Sequence, residues 1–426
     1  MAIDIGFYGL FVLLLLLMVR VPIAIALIAV SLGGLTLMLG WGTAFSLLAS
    51  KPYEFVSKWT LSAVPMFLLM GFVCFHSGLT AGLFTAAKKL FRWLPGGIAI
   101  SSIFASAGFA AVSGSSVACA AAMGRIAIPE MVKAGYKPSF ACGTIAAGGT
   151  IGALIPPSIL MIVYGVFVQE SITKIFLGGI TVGLMTTVGY SLIVLFMAWI
   201  KPDVCPRVAE GHDDIDTRRA IIDVWPVVVL ALVVFGGLFS GVFTATEAGA
   251  IGAAAALVLS GVLGKLNKAN ITQAFFDTLG TTSMLLIIGI GASMFTLFLS
   301  LSGLAGFITS AVTGWELSYL QLMLVVVGIY LVLGLFMEPF GAMLVTLPVL
   351  MPVFETYDLS LIWFGVLLVK LLEIGMITPP VGMNIFVIRA VASEYASLVD
   401  IFKGVSIYLI ADLIIVGILV LFPQII

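Results

Sequence analysis

Long apolar runs, broken at short intervals by glycine, proline or small polar residues, set the pattern of this 426-residue chain. Those near 5–20, 22–40, 62–80, 140–168, 175–200, 225–243, 245–263, 281–300, 361–390 and 403–422 reach or approach the roughly 20 residues a helix needs to cross a bilayer. Two further apolar stretches, 96–131 and 320–352, carry glycine, serine or proline near their midpoints. That argues against a straight crossing, so each is expected to dip in and return as a re-entrant helical hairpin. Segments 44–60 and 268–280 mix aromatic with polar and basic residues, too polar to span, and are expected to lie along the interface as arms. The expected fold class is all-α integral membrane, with about ten transmembrane helices and two hairpins.

Composition removes the alternatives. Hydrophobic residues make up 62% and charged residues 9%, against about a quarter charged in soluble domains, so a water-soluble fold is excluded. The first span lacks a basic start and a small-residue cleavage site, so it is expected to be retained, with the mature chain beginning near Met1. Net charge is −1 with no basic block, which gives no hold for nucleic acid. Four cysteines (Cys74, Cys119, Cys142, Cys205), widely spaced, and two histidines indicate neither a disulfide framework nor a transition-metal site. No GxGD, HExxH or GxxxxGK[ST] pattern occurs, which speaks against an intramembrane enzyme and against ATP hydrolysis. If hairpin 96–131 enters from the cytoplasm, counting crossings puts both termini outside. All of the 19 Lys and Arg residues except Lys51, Lys58, Lys174 and Lys370 then fall at cytoplasmic ends, as the positive-inside rule demands.

The chain reads as two related halves. The long polar stretch 201–223, with Asp213, Asp214, Asp216, Arg218 and Arg219, is expected to be a cytoplasmic linker between a first repeat (1–200) and a second (224–426). A single offset pairs Pro129 with Pro352, Gly152 with Gly375, and Pro156-Pro157 with Pro379-Pro380, and SGLTAG (Ser77–Gly82) resembles SGLAG (Ser302–Gly306). With an odd number of crossings per half, the repeats run inverted, the common architecture of secondary transporters. No amphipathic pore-lining stripe or charged ring favours a channel instead.

Candidate chemistry sits at the breaks. The first hairpin turns at Ser113-Gly114-Ser115-Ser116, and the following crossing contains Gly152-Ala153-Leu154-Ile155-Pro156-Pro157. Consecutive prolines remove amide donors, so nearby carbonyls lose their intrahelical partners. Hydroxyls and freed carbonyls are hard neutral oxygens suited to dehydrated Na⁺, while half-helix N-termini suit an anion. One such copy could equally be a kink packed by small residues. The second copy tips the balance towards binding: Gly334 and Glu338-Pro339 lie at the second hairpin's turn, and Gly375-Met376-Ile377-Thr378-Pro379-Pro380-Val381 in its broken crossing. Thr378 and Asn384 add side-chain oxygens. Glu338 reads first as a cap and second as a gate or solute contact. Lys370 and Glu373, three residues apart, are expected to neutralise each other, Arg389 to anchor at an interface, and Glu247 to face one.

At these motifs the sequence resembles the large membrane subunit of the tripartite ATP-independent periplasmic (TRAP) transporters. SGSSVACAAAMGRIAIPEM, GTIGALIPPSI, FMEPFGAMLVTLPVLMP and EIGMITPPVGMNIFVI stand in that family's order, and the match covers essentially the full chain. The resemblance implies an elevator mechanism, in which a transport domain holding both hairpins slides against a scaffold that includes the arms. It implies Na⁺ as coupling ion and no organic cofactor. It implies two partners besides the lipid bilayer, a separate small four-helix membrane subunit and a periplasmic substrate-binding protein. The location implied is the bacterial inner membrane, and the cargo an organic anion such as a C4-dicarboxylate or sialic acid. The Na⁺ sites would fall on Ser113, Ser116, Gly152, Ile155 and Pro157, and on Gly334, Gly375, Thr378 and Val381. Solute contacts are expected from Ser115, Pro156, Glu338, Pro379 and Asn384.

Overall fold

The computed structural model describes residues 2–206 and 222–426. The linker residues Arg207, Asp213, Asp214, Asp216, Arg218 and Arg219 lie outside the described residues. Within them the chain is helical, with no strand.

The first half begins with α1 (Ala2–Met18) and α2 (Ile23–Leu39), which pair. Two short helices, α3 (Trp41–Ala49) and α4 (Lys51–Val56), then cover most of the segment 44–60. Their aromatic side chains Trp41, Phe45 and Tyr53 are exposed, as suits an interfacial position. Next come α5 (Ala63–His76), α6 (Ala81–Phe91), α7 (Gly97–Ser113), α8 (Ser116–Lys133), α9 (Pro138–Thr150), α10 (Ile159–Val168) and α11 (Ile172–Ile200). The second half holds α12 (Trp225–Phe239), α13 (Ala245–Val262), α14 (Lys268–Ser302), α15 (Leu304–Gly314), α16 (Tyr319–Gly334), α17 (Pro339–Thr356), α18 (Leu361–Gly375), α19 (Met383–Val391), α20 (Leu398–Val405) and α21 (Tyr408–Leu421).

Local chemistry places many of these boundaries. Proline opens α9 and α17, where its missing amide costs nothing and its fixed φ suits the first turn. Thr244 and Glu247 form a reciprocal capping box on α13. Arg389 donates to the Ser393 and Ala396 carbonyls, 2.5 and 2.8 Å away, tying down the chain after α19.

One boundary differs from expectation. The polar segment 268–280 is no separate arm. It continues without interruption into the apolar run 281–300 as one 35-residue helix, α14, about 50 Å long at 1.5 Å per residue. Polarity decides where a helix sits relative to the membrane surface, not whether it ends. Here Asn267 caps the start, accepting from the Asn270 amide at 2.7 Å, and Thr278 satisfies its hydroxyl on the Ala274 carbonyl at 2.7 Å. The expected last span 403–422 likewise resolves into α20 and α21, bent by 43°.

By length and composition, five helices of the described residues can each cross a membrane, or six if the bent pair counts as one. Helices such as α1 and α2, at 17 residues, fall just short of that mark. Buried apolar side chains form two clusters. One draws mainly on α1, α2, α5 and α10–α18, the other on α6–α9, α19–α21 and the latter half of α11. The segments that break the helices lie where the clusters meet.

Candidate functional site

The first break follows from its prolines. α9 stops at Thr150, a short 3₁₀ turn covers Ile151–Ala153, and α10 starts only at Ile159. Pro156 and Pro157, joined by a cis peptide bond, stand where amides would otherwise serve the carbonyls of Gly152 and Ala153. Ser158 restarts the helix by accepting from the Met161 amide at 3.3 Å. Removing that cap with Ser158→Ala should lower unfolding stability by about 1 kcal/mol, measured by chemical denaturation in detergent.

Onto this break the tip of the α7–α8 hairpin is seated backbone against backbone. Gly114 ends α7 in the left-handed region, φ +64, and Ser115 caps α8. The Ile159 amide donates to the Gly114 carbonyl at 3.3 Å. A Cβ on Gly114 would lie 1.9 Å from the Pro157 carbonyl oxygen, and one on Gly152 would lie 2.7 Å from that of Ser115. Ser113, Ser116, Gly152 and Pro157 are buried here, and the Ser113 hydroxyl has no partner among the described residues.

The second break repeats the chemistry with a different degree of enclosure. α18 ends at Gly375 and α19 begins at Met383, with Pro379-Pro380 again cis. Gly375 packs on Gly334 so closely that a Cβ would come within 2.6 Å of the Gly334 Cα. The Thr378 hydroxyl donates to the Ile374 carbonyl at 2.6 Å. Pro379, Pro380 and Val381 are exposed, whereas Pro156 and Pro157 are buried. Glu338 caps α17, its carboxylate accepting from the Gly341 and Phe340 amides at 2.8 and 3.3 Å.

Both hairpin tips and both breaks converge on a cavity of about 360 Å³. Its walls include Ser115 and Ser116 from the first tip, Glu338 and Pro339 from the second, Ile159 after the first break, and Glu373, Met376 and Met383 around the second. Leu68 and Phe72 of α5 and Met284 of α14 close it. A neighbouring pocket of about 190 Å³ is lined by Gly334, Glu338, Gly375 and Val381. Of the residues expected from sequence, Ser115, Ser116 and Glu338 thus face the central cavity. Gly334, Gly375 and Val381 face its neighbour, and Ser113, Gly152, Ile155, Pro156 and Pro157 lie at the first tip and break. Thr378, Pro379 and Asn384 line neither; Asn384 points its amide at the Ala146 carbonyl of α9, 3.5 Å away. A wider cleft of about 680 Å³ between α4, α14, α15 and α17 contains none of these residues.

The charged residues of α18 depart from expectation. Lys370 does not pair with Glu373. It makes a buried ion pair with Asp412 of α21 at 2.5 Å, donates to the Thr186 hydroxyl of α11 at 3.1 Å, and shares Asp412 with the Tyr190 hydroxyl, 2.8 Å away. Asp412 went unnoticed in the sequence, although a lone acid within an apolar span requires a partner and was therefore a usable signal. Glu373, 1% exposed, turns towards the cavity. All four cysteines are buried and unpaired.

The model of the family described as tripartite ATP-independent periplasmic transporter, DctM component, matches residues 10–425. The chain belongs to this family. It is 36% identical over 361 residues to the C4-dicarboxylate TRAP transporter large permease protein DctM of Pseudomonas aeruginosa, covering 84% of each chain. It is 29% identical over 406 residues to the sialic acid TRAP transporter large permease protein SiaM of Vibrio cholerae, covering 95% of this chain and 93% of that one. The crystal structure of the Alcanivorax borkumensis YdaH transporter shares the fold at 15% identity, with a TM-score of 0.65 over 90% of this chain and 89% of that one. The protein is thus a multi-pass membrane protein of a transporter family, the large membrane component of a TRAP system.

Proposed function

We propose that the chain carries an organic anion inwards across the inner membrane, driven by Na⁺ and by an elevator movement of its hairpins and broken crossings. A periplasmic binding protein would deliver the anion and a small membrane subunit would complete the complex. The observation that carries this reading is the convergence of two glycine-seated tips and two Pro-Pro breaks on one cavity. Its volume of about 360 Å³ suits a small metabolite. The N-terminal residues of α8, α17 and α19 line it, and helix N-termini favour negative charge. The hydroxyls of Ser113, Ser116 and Thr378, with the carbonyls freed at the breaks, supply the neutral oxygens that Na⁺ takes. Relatives named for a C4-dicarboxylate and for sialic acid support these two as candidate cargoes. Inverted repeats, about ten crossings and termini on the periplasmic side complete the proposal.

Reconstituted with its partners, the chain should accumulate solute only under an inward Na⁺ gradient. Equal uptake with K⁺ in place of Na⁺ would overturn the reading. Ser116→Ala and Thr378→Val should each raise the half-saturating Na⁺ concentration several-fold; unchanged Na⁺ activation in both would reject the placement of the ions.

A further inference from the structure

We propose that Glu373 is a charged Na⁺ ligand, holding the ion against the Ser116 hydroxyl at the wall of the central cavity, so that the ion supplies the positive charge an anionic cargo meets there. This rests on Na⁺-coupled anion transport as proposed above, and it adds a carboxylate to a set of ligands otherwise made of hydroxyls and carbonyls.

The Glu373 side chain is 1% exposed, and neither carboxylate oxygen has a hydrogen-bond partner among the described residues. Ser116 lines the same cavity, so its hydroxyl is the neutral oxygen available to share a ligand with Glu373. A buried carboxylate left without a partner costs several kcal/mol, so something must meet its charge.

The surrounding groups leave that role open. Lys370 lies one helical turn away, but its ammonium is held by Asp412 at 2.5 Å and by Thr186 at 3.1 Å. Asp412 is like-charged and already shared between Lys370 and Tyr190. Across the cavity, Glu338 is occupied with the amides of α17. Cys119 is the other ionisable neighbour on α8 and offers no cation.

The cavity itself selects between a proton and a metal cation. Two carboxylates, Glu338 and Glu373, line it, and among the described residues no Lys or Arg does. A proton on Glu373 would remove one negative charge and leave an anionic cargo with no cation to face. A bound Na⁺ neutralises the carboxylate equally, but it also keeps coordination positions open towards the cavity, where the oxygens of an anionic cargo can complete its shell. Carboxylate and hydroxyl oxygens are the hard ligands such an ion takes. No group of three or more His, Cys, Asp or Glu residues lies together among the described residues to favour a transition metal.

The test uses Na⁺ alone and then transport. For the purified chain in detergent, thermal stabilisation by NaCl is measured against KCl at equal ionic strength. Glu373→Gln should raise the half-stabilising Na⁺ concentration about ten-fold or more, which is the loss of about 1.4 kcal/mol of ion binding; Glu373→Asp, which keeps the charge, should shift it less. In the reconstituted complex, Glu373→Gln should lower the Hill coefficient for Na⁺. Wild-type Na⁺ values in Glu373→Gln, above all with an altered pH profile, would show a proton at the site and overturn the inference while leaving Na⁺ coupling standing. A wild-type protein indifferent to Na⁺ would overturn the coupling itself. If Glu373→Gln does not fold, carbodiimide labelling of wild-type Glu373, read by mass spectrometry, should fall with Na⁺ but not K⁺. Labelling blind to Na⁺ would also overturn the inference.

Discussion

Gly114→Ala is expected to reduce Na⁺-driven uptake to background while the protein still inserts in the membrane. Two costs combine. The left-handed φ of +64 costs a residue with a Cβ about 1–2 kcal/mol. The new methyl would then lie 1.9 Å from the Pro157 carbonyl oxygen, far inside contact distance and against backbone that cannot rotate away. The hairpin tip must lift, which separates Ser113 and Ser116 from Gly152 and Pro157. Gly78→Ala separates the two contributions, since φ there is +65 and no heavy atom stands within 4 Å of the added Cβ. It should pay the backbone cost and keep most of its transport. Wild-type uptake by Gly114→Ala would reject the seating of the tip on the break.

The largest loss of stability is expected from Lys370→Met, about 3–5 kcal/mol, because it strands the Asp412 carboxylate at 1% exposure. The Tyr190 hydroxyl would remain as its hydrogen-bond donor, at 2.8 Å, but without a countercharge. Asp412→Leu added to Lys370→Met should recover most of the loss, since both charges are then gone and the span is apolar. Unfolding in detergent, followed by thermal scans of the single and double variants, measures the coupling. A single variant as stable as the wild type would show that the pair does not hold α18 to α21.

How far the sequence foreshadows the structure depends on how local each cause is. The tips and breaks are legible because glycine, proline and serine act on their own backbone. Gly114 permits a left-handed turn, Pro156 and Pro157 withhold amides, and Ser158 restarts a helix within three residues. The helical membrane class is legible for the same reason, as apolar length speaks for itself. The partner of Lys370 is not, because Asp412 lies 42 residues further on and only packing brings it within reach. A carboxylate three residues away on the same helix looks like the natural partner, yet its side chain turns to the cavity. Polar segment 268–280 misleads differently, by marking depth rather than an end. At Asn384, residue type suggests a ligand, but the helix it sits on aims it at α9.

With every cysteine buried and unpaired, the native chain offers a membrane-impermeant maleimide nothing to react with. A cysteine introduced at Val381, a position 37% exposed, would therefore stand alone against a silent background. Its labelling rate, followed as Na⁺ and solute are added, would read whether the second break changes its exposure, without first rebuilding the protein free of cysteine.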